Sequence, residues 1–330
     1  MPHTEIDFDR PGKQVGFIDF PHSVHTDAWG VLPVPLCVIK NGAGPTVLLQ
    51  GGNHGDEYEG PIILGELVRD LDPARVTGRL IIVPAINRPA IEAGNRCSPL
   101  DGLNFNRTFP GNPTGSITEQ LSSYVHDVLF PLADMFVDLH SGGSSLDMIP
   151  SAIMEPCNDP GLAQKIRAAV VAFGAPINVV ISNYGDPRTS TAAAVRAGLV
   201  TVGTELGGAG AISPEALKIG RNGLYNLLAH FGVVAGAKPD RQGVPLPVHD
   251  ITGAGAYVRA NQTGVFEPFH RLGDKVSAGQ GAGRIHFLSN PDKTPVELVY
   301  EKAGVVYGMR QPGIVRPGNC CVVVASPSEV

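Results

Sequence analysis

No block of lysine or arginine occurs anywhere in the 330 residues, and 25 Lys+Arg are outnumbered by 31 Asp+Glu, for a formal net charge of -6. That balance argues against a surface for nucleic acid or an anionic membrane. Cysteine is scarce: Cys37, Cys97, Cys157, Cys320 and Cys321 form no CxxC pair. An odd, widely spaced set does not make a disulfide scaffold. No apolar run reaches transmembrane length, and no basic-then-apolar segment opens the chain, so the cytoplasm is the expected compartment. There is no internal repeat, and Trp29 is the only tryptophan. Glycine (41) and proline (29) are plentiful but follow no collagen-like period. They punctuate a chain that is 43% hydrophobic, long enough for one large or two ordinary domains.

The organising stretch is Gly51-Gly52-Asn53-His54-Gly55-Asp56-Glu57-Tyr58-Glu59-Gly60. Before it, Thr46–Gln50 is a short apolar run that predicts a buried strand; after it, the spacing of Ile62, Ile63, Leu67 and Val68 predicts a helix to about Asp70. His54 is then on the loop leaving a strand and Glu57 near the first turn of a helix, where open α/β sheets place their sites. Further strands are expected at 31–39 (an edge strand, given Pro33 and Pro35), 79–84, 134–139, 177–181 and 199–204. Asn41-Gly42 reads as a turn joining the first of these to the Thr46–Gln50 strand as a hairpin. Helices are expected at 116–130, 160–173 and 190–197, with another from an N-cap at Ser213 to about Phe231. A polar loop fills about 89–115, a length usual for functional loops. Alternation of strands and helices predicts an α/β fold, a mixed central sheet with helices on both faces, over 1–232. From 233 to 330 only short β-like runs remain, which predicts a smaller C-terminal all-β domain.

Two more polar residues fall at predicted strand ends, His140 after 134–139 and Glu205 after 199–204. Imidazole and carboxylate are zinc ligands, and a close pair (His54, Glu57) with one distant histidine (His140) leaves a position open for water, as catalytic zinc sites do. Glu205 is suited to take a proton from that water and return it to a leaving amine. In the long loop, Arg96 is suited to an oxyanion, and Arg107 with Asn106 to a carboxylate. Asp138, on the same strand face as His140, and Asp56 are alternative acceptors for the second ring proton of a ligating histidine.

Gly52-Asn53-His54-Gly55-Asp56-Glu57, Asn104-Phe105-Asn106-Arg107-Thr108-Phe109-Pro110-Gly111 and Asp138-Leu139-His140-Ser141-Gly142 together resemble the succinylglutamate desuccinylase/aspartoacylase family of the zinc carboxypeptidases. The resemblance runs from about residue 30 to the end. It implies one zinc ion per chain on His54, Glu57 and His140, Glu205 as general base, and Asn106 with Arg107 on the substrate carboxylate. It implies Arg96 as the group polarising the scissile carbonyl, with Arg88 as a competitor, and Arg188 or Arg196 as a further substrate-binding arginine. It implies a small-molecule N-acylated amino acid as the ligand, a C-terminal domain over part of the entrance, and a homodimer. Within the family, the stretches at 51–60, 139–143 and 204–208 most resemble the branch that hydrolyses N-alpha-acetyl-L-2,4-diaminobutyrate in ectoine degradation. A desuccinylase, an aspartoacylase, a short-peptide carboxypeptidase and a non-enzymatic binding protein that retains the fold are the alternatives. For the ammonium of a diaminobutyrate, Asp147, Glu155 and Asp186 are unranked candidates.

Overall fold

A computed structural model describes residues 2–234 and 247–328. Its first half contains β1 (Gly12–Pro21), β2 (Val31–Asn41), β3 (Thr46–Gly51), α1 (Glu59–Asp70), β4 (Gly78–Val83), α2 (Arg88–Ala93), α3 (Ile117–Tyr124) and β5 (Met135–Leu139). There follow β6 (Leu146–Met148), β7 (Ser151–Met154), α4 (Pro160–Phe173), β8 (Ile177–Val180), α5 (Ser190–Arg196), β9 (Val200–Glu205) and α6 (Pro214–His230). The remainder is β10 (Val248–Asp250), β11 (Tyr257–Arg259), β12 (Gly264–Pro268), β13 (Lys275–Val276), β14 (Gly281–His286), β15 (Val296–Val299), β16 (Gly304–Arg310), β17 (Ile314–Val315) and β18 (Cys320–Pro327).

The expected mixed sheet with helices on both faces is present, and side-chain alternation explains it. Val47 and Leu49 of β3, Leu80 and Ile82 of β4, and Val137 and Leu139 of β5 enter one core with residues of α1, α4 and α6. Their neighbours Leu48, Ile81, Val83 and Phe136 point the other way, into a second core with residues of α3 and α5. Successive strand residues face opposite sides, so strands apolar on both are covered on both. Strands β3, β5 and β9 are parallel neighbours, with Gly51 opposite Leu139 and Asp138 opposite Gly203. Residues leaving these strands therefore emerge at one edge of the sheet, and that register positions the site.

Two local expectations are corrected. β2 is not an edge strand: β1, which no periodicity announced, lies outside it. The β1 pattern was blurred because Val15 and Phe17 are exposed on the face opposite buried Ile18 and Phe20. Pro33 and Pro35 are tolerated because that half of β2 pairs with β1 alone, β4 joining only from Cys37 onward. Nor do β2 and β3 form a hairpin, because β4 lies between them and pairs with both.

Toward the C-terminus, β10 pairs parallel with β8 and antiparallel with β18. The central sheet thus continues into β18, β16 and β13, reaching 14 strands among the described residues. A separate antiparallel sheet, β15-β14-β12-β17, accounts for the rest of the β-rich region. Its core, with Phe266, Ile285 and Leu298, is distinct from the two helical cores, and on that ground we propose a domain boundary near Gly232. The adjoining stretch 235–246 lies outside the described residues.

Candidate active site

The chain reaches the sheet edge from β3 through a turn only glycine allows. Gly52 has φ +69°, and a Cβ on Gly55 would stand 1.9 Å from the carbonyl carbon of Ala90 in α2. That close approach turns His54 and Glu57 back over the end of β5. His140 leaves β5 directly, and its backbone N–H donates to Thr204 Oγ1 on β9 at 3.0 Å.

Around Glu57 the three first-named residues converge. His54 Nδ1 is 2.6 Å from Glu57 Oε1, and His140 Nδ1 is 2.8 Å from Glu57 Oε2. One donor atom from each lies within 4.8 Å of the others, and all three residues are buried. Each imidazole is also held by its far nitrogen: His54 Nε2 is 3.1 Å from Asn104 Oδ1, and His140 Nε2 is 3.0 Å from Asp138 Oδ2. With a metal ion on the two Nδ1 atoms, these acceptors would hold the remaining ring protons on Nε2. Two imidazole nitrogens and a carboxylate oxygen make a donor set that fits a zinc ion with an open position.

The titration of these groups follows their surroundings. Burial pushes His54 below its ordinary value. Burial opposes ionisation of Glu57 as well, but the two imidazoles outweigh it and hold the carboxyl below the usual range. For His140 burial is outweighed by the carboxylates of Asp138 and Glu57, which raise it.

Asp138, one of the two sequence candidates for orienting an imidazole, takes that position. It is fully buried, and Asn53 Nδ2 (3.1 Å) and Ser190 Oγ also donate to its Oδ2. Asp56 does not reach a ring: its Oδ2 accepts from the backbone N–H and hydroxyl of Ser144, both at 2.8 Å, and so fixes the turn after His140. Replacing Asp138 with Asn removes the anionic acceptor from His140 Nε2. The expected result is zinc affinity lower by about 10- to 100-fold, read by titration against a competing chelator; unchanged affinity would deny the carboxylate its orienting part.

Glu205 reaches the same pocket from the end of β9. Burial first, and then the negative charge of Glu57, raise its carboxyl to about 8. Its Oε2 accepts no hydrogen bond among the described residues. A divalent cation at the neighbouring triad would favour the carboxylate and invert that shift. Arg96 also lines the pocket, with Nη1 3.3 Å from Glu57 Oε1. Asn106 and Arg107 line it too. Arg107 donates to the carbonyl of Asn106 at 2.6 Å and stands 3.4 Å from the carboxylate of Asp186.

The remaining arginines are elsewhere. Arg88 donates to Glu92 (2.6 Å) and to the carbonyl of Pro33 (3.1 Å), which holds it away from the pocket. Arg188 is bound to Asp186 through two hydrogen bonds of 2.9 Å, and neither it nor Arg196 in the last turn of α5 lines the cavity. Of the three acids offered for an ammonium, Glu155 alone lines it. Asn104 and Ser190 carried no role in the sequence reading. Asn104 stands inside the Asn104–Gly111 motif, and that was the available signal. The contact of Ser190 with Asp138 spans 52 residues and left none.

Residues 43–231 match the family model described as the succinylglutamate desuccinylase/aspartoacylase catalytic domain. Over 326 residues the chain is 41% identical to the N-alpha-acetyl-L-2,4-diaminobutyric acid deacetylase of Halomonas elongata, covering 98% of this chain and 94% of that one. Among solved structures it is similar to the product-bound ectoine utilization protein EutE from Ruegeria pomeroyi, with a TM-score of 0.93, 41% identity and 98% of each chain covered. It is equally similar in fold to a succinylglutamate desuccinylase/aspartoacylase from Rhodobacter sphaeroides, with a TM-score of 0.93, 42% identity and 99% of each chain covered.

Proposed function

The chain belongs to the succinylglutamate desuccinylase/aspartoacylase family, and from that we propose that it is a zinc-dependent amidohydrolase converting N-alpha-acetyl-L-2,4-diaminobutyrate and water to L-2,4-diaminobutyrate and acetate in ectoine catabolism. The observation that carries the chemistry is the pair of imidazoles presenting Nδ1 beside Glu57, with Glu205 and Arg96 lining the same cavity. The full-length similarity to a deacetylase of that name supports the substrate.

His54, Glu57 and His140 would hold the zinc, which supplies Lewis acidity and makes a water acidic enough to attack at neutral pH. Glu205 takes the proton that the attacking water loses. It returns that proton to the α-nitrogen as the C–N bond breaks, giving a neutral amine and acetic acid, whose remaining proton passes to the amine or to solvent to leave acetate. Arg96 faces the negative charge that develops on the carbonyl oxygen. Arg107, with the Asn106 amide beside it, receives the α-carboxylate, and its planar guanidinium fixes the orientation of that group.

Parallel assays with N-alpha-acetyl-diaminobutyrate, N-succinylglutamate and N-acetylaspartate test the reading. The highest kcat/KM is expected for the first. A higher value for either of the others would replace the acetyl-diaminobutyrate assignment with a desuccinylase or aspartoacylase, and no hydrolysis of any, with zinc present, would favour the binding-protein alternative.

A further inference from the structure

The proposed chemistry leaves one acid of the pocket without a part. Glu155 follows β7 directly, is 5% exposed, and lines the cavity with Glu205 and Arg107. It is held from one side only: Thr191 Oγ1 donates to its Oε1 at 2.8 Å, and Thr189 Oγ1 to the same oxygen at 3.4 Å. Among the described residues Oε2 accepts no hydrogen bond and the carboxyl makes no ion pair within 4 Å. Burial raises its pKa, while the two hydroxyls and the charges of Arg107 and Arg196 work against that rise.

A buried carboxylate is unfavourable unless donors or a cation satisfy it. Here the protein supplies hydroxyls to one oxygen and leaves the other for a ligand. We propose that Glu155 receives the side-chain ammonium of the substrate and sets the amine specificity of the site. The proposal rests on the deacetylase reading above and deepens it by naming the group that selects a cationic side chain. Asp186 does not compete, because Arg188 satisfies both its oxygens at 2.9 Å and Arg107 approaches at 3.4 Å. Asp147 lies in β6, in the ladder with β16, and outside the cavity.

Arg107 and Glu155 then read two ends of one molecule. The cation meets the α-carboxylate and the anion meets the ammonium. A substrate with a carboxylate side chain would instead bring a second negative charge against Glu155, in a site too buried for water to screen it. The same residue that selects diaminobutyrate therefore rejects aspartyl and glutamyl amines, which is specificity by repulsion as well as attraction.

The test compares N-alpha-acetyl-L-2,4-diaminobutyrate with N-alpha-acetyl-L-norvaline, in which a methyl replaces the ammonium. For the wild-type protein with zinc, the ratio of kcat/KM is expected to favour the diaminobutyrate by about 30-fold or more. In Glu155→Gln the ratio is expected to fall toward one. A ratio unchanged by the substitution, or equal losses on both substrates, would overturn the role of Glu155. Failure of the deacetylase reading looks different: the wild-type protein would cleave neither acetyl substrate. A second measurement needs no variant. L-2,4-diaminobutyrate, L-norvaline and L-aspartate are tested as inhibitors of the wild-type protein, and binding in that order of decreasing strength is expected. L-aspartate binding most tightly would overturn the proposal.

Discussion

Replacing Glu205 with Gln is expected to leave about one zinc ion per chain and to lower kcat by roughly 100- to 10,000-fold, the usual contribution of a positioned general base. The substitution keeps the shape of the side chain and removes only the oxygen basicity. Glu205 is not among the three residues whose donor atoms lie within 4.8 Å of one another, so metal content is not expected to follow activity. Fold is also expected to survive. The residue ends β9, paired with Ser151 of β7, and its Oε2 makes no hydrogen bond that the amide would lose. The measurement is elemental zinc per chain beside kcat for the same preparation. Retained turnover would remove Glu205 as the base, and zinc lost together with activity would make it a ligand or a structural support.

His140→Ala is expected to have the other large effect, loss of the zinc itself. In the proposed site the residue supplies one of the three donor atoms, so the loss in affinity should exceed the ~10- to 100-fold expected when only an orienting neighbour such as Asp138 is changed. Activity is expected to fall below detection. Chelator treatment of the wild-type protein should reproduce that state, with added zinc restoring the wild type and not the variant. The substitution also strips the fully buried Asp138 carboxylate of its cationic partner, and an unpaired buried charge is destabilising by about 3–5 kcal/mol. Melting must therefore be recorded on the variant. A folded variant that retains zinc would exclude His140 as a ligand, whatever its activity.

These two residues also show how a site can be read before it is folded. Glu205 and His140 each follow an apolar run of strand length, and a polar residue at such a place has a local signature. His54 and Glu57 are three apart on a glycine-rich exit from a strand, which is local as well. The helices were legible for the same reason, except α2, whose residues 88–93 open the stretch expected to be loop. The spacing over 160–173 coincides with α4, and Ser213 accepts from the N–H of Ala216 at the start of α6 as its position implied. Among the strands, β16 went unread because Gly304 and Gly308 interrupt its apolar pattern. Gly308 is there to admit Met148, whose Sδ would lie 2.5 Å from a Cβ. That contact crosses 160 residues of chain and no window along the sequence contains it.

By itself, then, the sequence determined the alternation of strands and helices, the polar residues at the strand ends and their likeness to one family, because propensity, periodicity and motif spacing are properties of neighbours along the chain. Only the tertiary structure decided that β4 lies between β2 and β3, that Asp138 and not Asp56 faces an imidazole, that Arg96 and Arg107 enter the pocket while Arg88, Arg188 and Arg196 stay outside, and that of Asp147, Glu155 and Asp186 it is Glu155 that lines it. Each of these depends on which strands pair and where a buried charge finds its partner. Those are contacts between residues far apart in sequence, and their free energies exist only once the chain has closed around them.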